Sequence, residues 1–232
     1  MRALAIVHQR DAGPGVFAEA ATERGVELDT WHISEQLDPP GEPAGYGAVL
    51  TFGGAMHVDH EERHPWIASE KRLLADLNDR GTPLLGVCLG AQLLSAATGG
   101  NPGRASQPEI GWLEVEVTED GASDPLIGPL APSFEAFEWH SYEAAPPAEA
   151  TILARSPTCV QAYRLGERAW GIQFHAEVTA ANVETWIADY RSDEGAIRIG
   201  LDPDALRAKT RDRIEAWNRL GQDLCTRFLT GV

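Results

Sequence analysis

The chain has 232 residues, three cysteines and a formal net charge of −16, from 19 Lys and Arg against 35 Asp and Glu. Such acidity argues against a nucleic-acid partner, which would need a basic face. The sparse, odd cysteine count argues against a disulfide framework and for a reducing, cytoplasmic setting.

In chain order, Leu4 to Val7 reads as a first strand, too short to be a secretory signal. A Gly/Pro loop follows, then a helix from about Val16 to Arg24, stopped at Gly25. A second strand is expected at Val26 to His32 and a third at Ala48 to Phe52. Trp66, Ile67, Glu70, Leu73, Leu74 and Leu77 recur at helical spacing, which predicts a helix from about Pro65 to Arg80. The apolar run PLLGV is the fourth strand. Beyond Gly100 the texture changes to WLEVEVT, FEAFEWHS, ATILARS, CVQAYRL and AWGIQFH, a series of strands with little helix between them. Helices at about Ala180 to Tyr190 and Pro203 to Leu229 finish the chain. No stretch approaches the roughly 18 apolar residues of a membrane span. This pattern predicts an α/β fold with a doubly wound, mostly parallel sheet and an antiparallel extension. One domain over 1–232 is expected, its C-terminal part helical from about 191.

In such sheets ligands gather at the carboxyl ends of the strands. Three ends carry chemistry: Gly53-Gly54, Cys88 and His175. Cys88 stands in GVCLG, at the seam of a strand and a helix. A sharp turn there exposes the side chain, places it at a helix N-terminus and frees backbone N–H groups for an oxyanion. Gly86 and Gly90 supply the small neighbours that such a crowded turn needs. A cysteine nucleophile needs a base, and His175 in QFHAE is the histidine set at a strand end. Glu177, two residues on, lies on the same side if the backbone stays extended, where it can fix the imidazole tautomer.

GVCLGAQ together with GIQFHAE resembles the class I glutamine amidotransferases, whose pattern is G-x-C-x-G-x-Q followed much later by H-x-E. The likeness is to stand-alone members similar to the glutaminase domain of GMP synthase. It extends through GGAM from Gly53, PWIASEKRLL from Pro65, EIGW from Glu109 and FEWHSYEAAPP from Phe137. It implies the flavodoxin-like fold of that family and hydrolysis of the L-glutamine side-chain amide through a γ-glutamyl thioester. Carried onto this chain, it implies Cys88 as nucleophile, His175 as base and then acid, and Glu177 as its orienter. Gly54 and Leu89 are implied as oxyanion donors, with Gln92, His140 and Ser141 as contacts to the substrate. Ala55 and Ala176 stand where the family often has Pro, and neither change removes a functional group.

Other signals are weaker. HVDHEERH, from His57 to His64, is crowded into one polar loop and reads as a wall of the pocket mouth, with no metal expected. GGNPGR at Gly99 lacks the features of a phosphate cradle. Cys159 and Cys225 read as packing residues, and Leu206, Ile214, Trp217, Leu224 and Phe228 as a core-facing stripe. No cofactor is expected. No nucleotide-binding loop of Walker type occurs in the sequence, so the implied partner is a separate synthase subunit that uses the ammonia. Two alternatives stay open: a γ-glutamyl hydrolase acting on a γ-glutamyl amine or peptide, and a catalytically silent binding subunit.

Overall fold

A computed structural model describes residues 1–36 and 38–231. Nine strands form one sheet in the order β2-β1-β3-β4-β9-β8-β7-β5-β6. The strands are β1 (Arg2–Val7), β2 (Glu27–His32), β3 (Ala48–Thr51), β4 (Leu84–Val87), β5 (Gly103–Val117), β6 (Ser133–Glu143), β7 (Thr151–Arg155), β8 (Val160–Leu165) and β9 (Ala169–Ile172). The first five in the order run parallel, and from β9 onward each neighbour is antiparallel. This is the doubly wound sheet with an antiparallel extension that the sequence predicts.

The short parallel strands read as unbroken apolar runs because both faces are covered. Ala3, Ala5 and Val7 of β1 join Leu50 and Phe52 on one face, while Leu4 and Ile6 join Val49 and Leu84 on the other. The first face is covered by α1 (Val16–Glu23), α5 (Ala180–Ala188) and α7 (Pro203–Gly231), which bring Phe17, Ile187, Trp217 and Phe228 to it. The second is covered by α2 (Trp66–Asp79) and α3 (Leu89–Ala97) through Ile67, Leu74 and Leu93. Short helices α4 (Glu119–Ala122) and α6 (Glu194–Arg198) lie among the connections. The expected stripe on the last helix is buried at Leu206, Trp217, Leu224 and Phe228, with Ile214 packed at its margin.

After β1 the chain moves outward to β2 and then returns to place β3 on the other side of β1. That reversal leaves a crevice at the carboxyl ends of β1 and β3. The next two parallel neighbours, β4 and β9, end beside it. His8, Gly53, Cys88 and His175 all follow these four ends, within three residues of the last strand residue.

Candidate active site

Cys88 is the single residue between β4 and α3. Its φ of 52° and ψ of −108° lie in a region that side chains rarely occupy. Ala145 alone shares a positive φ among the other described non-glycine residues. The neighbouring glycines make the turn possible. A Cβ on Gly90 would lie 2.1 Å from the Thr51 carbonyl oxygen, and one on Gly86 would lie 2.7 Å from the Ala91 nitrogen. Helix and strand approach too closely there for any larger residue.

His175 is buried, and its Nδ1 lies 2.8 Å from Glu177 Oε1. A proton on Nδ1 donated to the carboxylate leaves Nε2 as the basic nitrogen. Burial disfavours a charged imidazole, but the Glu177 carboxylate and the Cys88 sulfur outweigh it and hold His175 well above its ordinary 6.5. The approach of Glu177 differs from the sequence expectation. Strand β9 ends at Ile172, and the chain bends at 173–174 and again at 176–177, so simple strand alternation does not bring the pair together. Neighbouring elements hold this bent segment instead. Trp217 Nε1 donates to the His175 carbonyl at 2.7 Å, Asn218 Nδ2 to that of Val178 at 2.6 Å, and the Val16 N–H to that of Glu177 at 2.9 Å. Trp186 sets its ring edge-on to the imidazole, 4.9 Å between centroids.

A cavity of about 440 Å³ opens over Cys88. All the expected site residues line it except Glu177, which stands behind His175. The Gly54 and Leu89 N–H groups face no acceptor among the described residues, and Leu89 is the first residue of α3. Gln92 is buried, its amide nitrogen committed to the Tyr142 carbonyl at 3.1 Å and to Gln173 Oε1 at 3.3 Å. Ser141 is half-buried at the wall. The His140 ring, buried beside the same cavity, is tied to carboxylates. Its Nδ1 donates to the Tyr142 carbonyl at 2.9 Å, and Nε2 lies 3.3 Å from both Glu109 Oε2 and Glu138 Oε2. Burial opposes its charge, but these two carboxylates push its pKa up to about 10.

The loop from His57 to His64 does reach the mouth, where His57 stacks on Tyr142 with ring centroids 4.0 Å apart. Among the described residues, the three side chains close enough to share a metal are not in that loop but are Glu109, His140 and Cys159. Cys159 is thus not simple apolar packing: its thiol donates to Glu109 Oε2 at 3.4 Å, which also accepts from Gln161 Nε2 at 2.8 Å. Cys225 packs between α7 and α1 as expected, 3.6 Å from the Phe17 carbonyl.

The profile described as "Glutamine amidotransferase class-I" matches residues 15–189. The chain belongs to the class I glutamine amidotransferase family. Among its relatives, GMP synthase [glutamine-hydrolyzing] of Aeropyrum pernix is 39% identical over 71% of the chain, a match that spans 31% of that longer protein. One of the subunits of GMP synthase [glutamine-hydrolyzing] from Ignicoccus hospitalis is 39% identical over 60% of this chain and 71% of its own length. The crystal structure of a glutamine amidotransferase from Thermotoga maritima superposes with a TM-score of 0.86 at 27% identity, covering 99% of this chain and 98% of that one. The fold is therefore that of the amidotransferases over almost its whole length. No described helix is long and apolar enough to cross a membrane.

Sequence reasoning missed three supports of this candidate site: the α7 residues under His175–Glu177, the Trp186 ring, and His8 at the end of β1. The first two carried no signal beyond a buried stripe. The third had one, its place directly after a parallel strand.

Proposed function

We propose that this amidotransferase hydrolyses the side-chain amide of L-glutamine through a γ-glutamyl thioester on Cys88, and that the ammonia passes to a separate, cytoplasmic synthase. The observation that carries the reading is Cys88 at a strained strand–helix junction, in one cavity with His175 and its Glu177 partner. In this scheme the Cys88 sulfur attacks the amide carbon, and its proton resides on His175. The oxygen takes up negative charge and accepts hydrogen bonds from the Gly54 and Leu89 N–H groups, each of the kind whose loss costs roughly 3–4 kcal/mol. His175 then protonates the departing nitrogen, and ammonia leaves as the C–N bond breaks. Water, losing its proton to His175, attacks the thioester and releases glutamate with the thiol restored. Gln92 and the wall at Ser141 bound the amino-acid end of the substrate.

The names of the Aeropyrum and Ignicoccus relatives support a synthase partner. Glutamate release from L-glutamine, compared between the unmodified chain and Cys88→Ser, tests the chemistry. An electrophilic glutamine analogue, followed by intact mass, tests the nucleophile. Turnover or an adduct that requires Cys88 is expected. Absence of both, with γ-glutamyl amines also untouched, would leave a silent binding subunit.

A further inference from the structure

His8 is one of the buried titratable groups that the scheme above does not use. Its side chain is fully enclosed, stacked on Trp66 with ring centroids 5.0 Å apart and planes 11° from parallel. Nε2 meets Glu70 Oε2 at 2.8 Å, and Glu70 Oε1 accepts from the Thr51 hydroxyl at 2.6 Å. Nδ1 lies 3.2 Å from the Gly53 carbonyl oxygen. An acidic side chain from α2, itself held by the last residue of β3, thus meets the imidazole behind the Gly53-Gly54 turn. Burial works against a charge on His8, but the Glu70 carboxylate outweighs it and raises its pKa above the ordinary 6.5. The Gly53 carbonyl can only accept, so Nδ1 is the donor there.

The Gly53 carbonyl and the Gly54 N–H belong to the same peptide unit. In a planar trans peptide they point in opposite directions. Holding the carbonyl against His8 on the β1 side therefore turns the Gly54 N–H away from it, toward the cavity that both Gly54 and Cys88 line. The next peptide is held from the same segment just after β1, since the Ala55 N–H donates to Gln9 Oε1 at 3.0 Å. The turn also lies directly against the reacting groups. A Cβ on Gly53 would come within 3.0 Å of the His175 ring and 3.7 Å of the Cys88 Cβ. Two successive glycines leave the peptide free to rotate, so something outside the turn must fix it.

We infer that His8, braced by Glu70, is a positioning residue that sets the orientation of the Gly53–Gly54 peptide and so builds half of the oxyanion hole. The inference rests on the acyl-transfer reading given above. An amide substrate needs the hole, whereas alkylation of a thiol by iodoacetamide develops no oxyanion. The two reactions separate the role of His8 from general damage to the site.

His8→Leu removes the donor. His8→Asn retains an N–H close to the position of Nδ1 while losing the contact to Glu70. The expected result for His8→Leu is a fall in kcat for glutamine of about 100-fold, with KM within about threefold and Cys88 alkylation unchanged, as for loss of one oxyanion donor. His8→Asn is expected to recover at least about tenfold of that loss. A folded His8→Leu chain with kcat within about threefold of the unmodified protein would overturn the inference, as would alkylation falling in step with kcat. Should His8→Leu fail to fold, the comparison of His8→Asn with Glu70→Gln decides it: Asn is expected to keep more activity than its loss of stability implies, and equal losses in both would overturn the inference. If the unmodified chain is inert to glutamine, γ-glutamyl p-nitroanilide is the substrate used. Activity on it alone, with no Cys88-dependent adduct from the glutamine analogue, would overturn the glutamine reading and leave the His8 comparison intact. Inertness to both substrates together with absence of that adduct would overturn the two together.

Discussion

At the scale of single residues, Cys88 stands in a strained backbone conformation. Its backbone conformation costs on the order of 1–3 kcal/mol for a residue with a side chain, and the close approach of Gly90 to Thr51 keeps it there. Replacing Ala by Gly in a buried position ordinarily destabilises, by about 0.5–1 kcal/mol of backbone entropy and about 0.8 kcal/mol for the lost methyl. At position 88 the release of strain offsets both terms. Cys88→Gly is therefore expected to be at least as stable as Cys88→Ala in a urea titration. A deficit greater than about 1 kcal/mol would mean that the turn is relaxed. The crowding of the turn was legible in advance from Gly86 and Gly90 on either side of the cysteine at a strand–helix seam, though by itself a buried cysteine is as readily a core residue, and Cys88 does pack in the core. The bend between His175 and Glu177 was not legible, since local sequence gives no sign of where β9 stops pairing.

At the scale of elements, the last helix does more than cover the sheet. A Cβ on Gly221 would stand 2.0 Å from the Ala176 carbonyl oxygen, and Trp217 donates to the carbonyl one residue earlier. Helix α7 thus presses on the backbone of the His-Ala-Glu segment at two successive positions. Trp217→Phe keeps most of the apolar bulk but leaves a buried carbonyl without its donor, at a cost of roughly 1–3 kcal/mol. The expected outcome is that loss of stability together with lower glutamine turnover, while iodoacetamide still reaches Cys88. Gly221→Ala is expected to act in the same direction and more strongly, since backbone must move. Unaltered turnover in a Gly221→Ala chain would show that the His-Ala-Glu segment holds itself. The sequence did predict the helix and its apolar stripe from periodicity. What the stripe rests against is a long-range contact, between positions 176 and 221, that no local pattern encodes. His8 and Glu70 were hidden for the same reason: they are 62 residues apart in the chain and meet only once α2 packs beside β1.

At the scale of the whole molecule, three buried imidazoles, His8, His140 and His175, all sit beside carboxylates that raise their pKa above 6.5. A base whose folded pKa is raised binds its proton more tightly in the native state. Its stabilisation is complete below 6.5 and is lost as pH rises toward the folded value, about 10 for His140. Between these limits the native state holds protons that the unfolded chain has released, and each such group lowers stability by about 1.4 kcal/mol per pH unit. The net charge of −16 adds self-repulsion of the same sign as pH rises. Salt separates the two contributions, because it screens exposed charges at a distance but reaches buried pairs poorly. Unfolding free energy measured by urea titration between pH 7 and 8.5 is expected to fall by more than about 1 kcal/mol per unit, nearly as steeply in 0.5 M sodium chloride as in dilute buffer. A slope that vanishes in salt would assign the effect to the acidic surface. A slope that survives would place it in the imidazole–carboxylate pairs, two of which stand in or directly behind the crevice where four of the five parallel strands end.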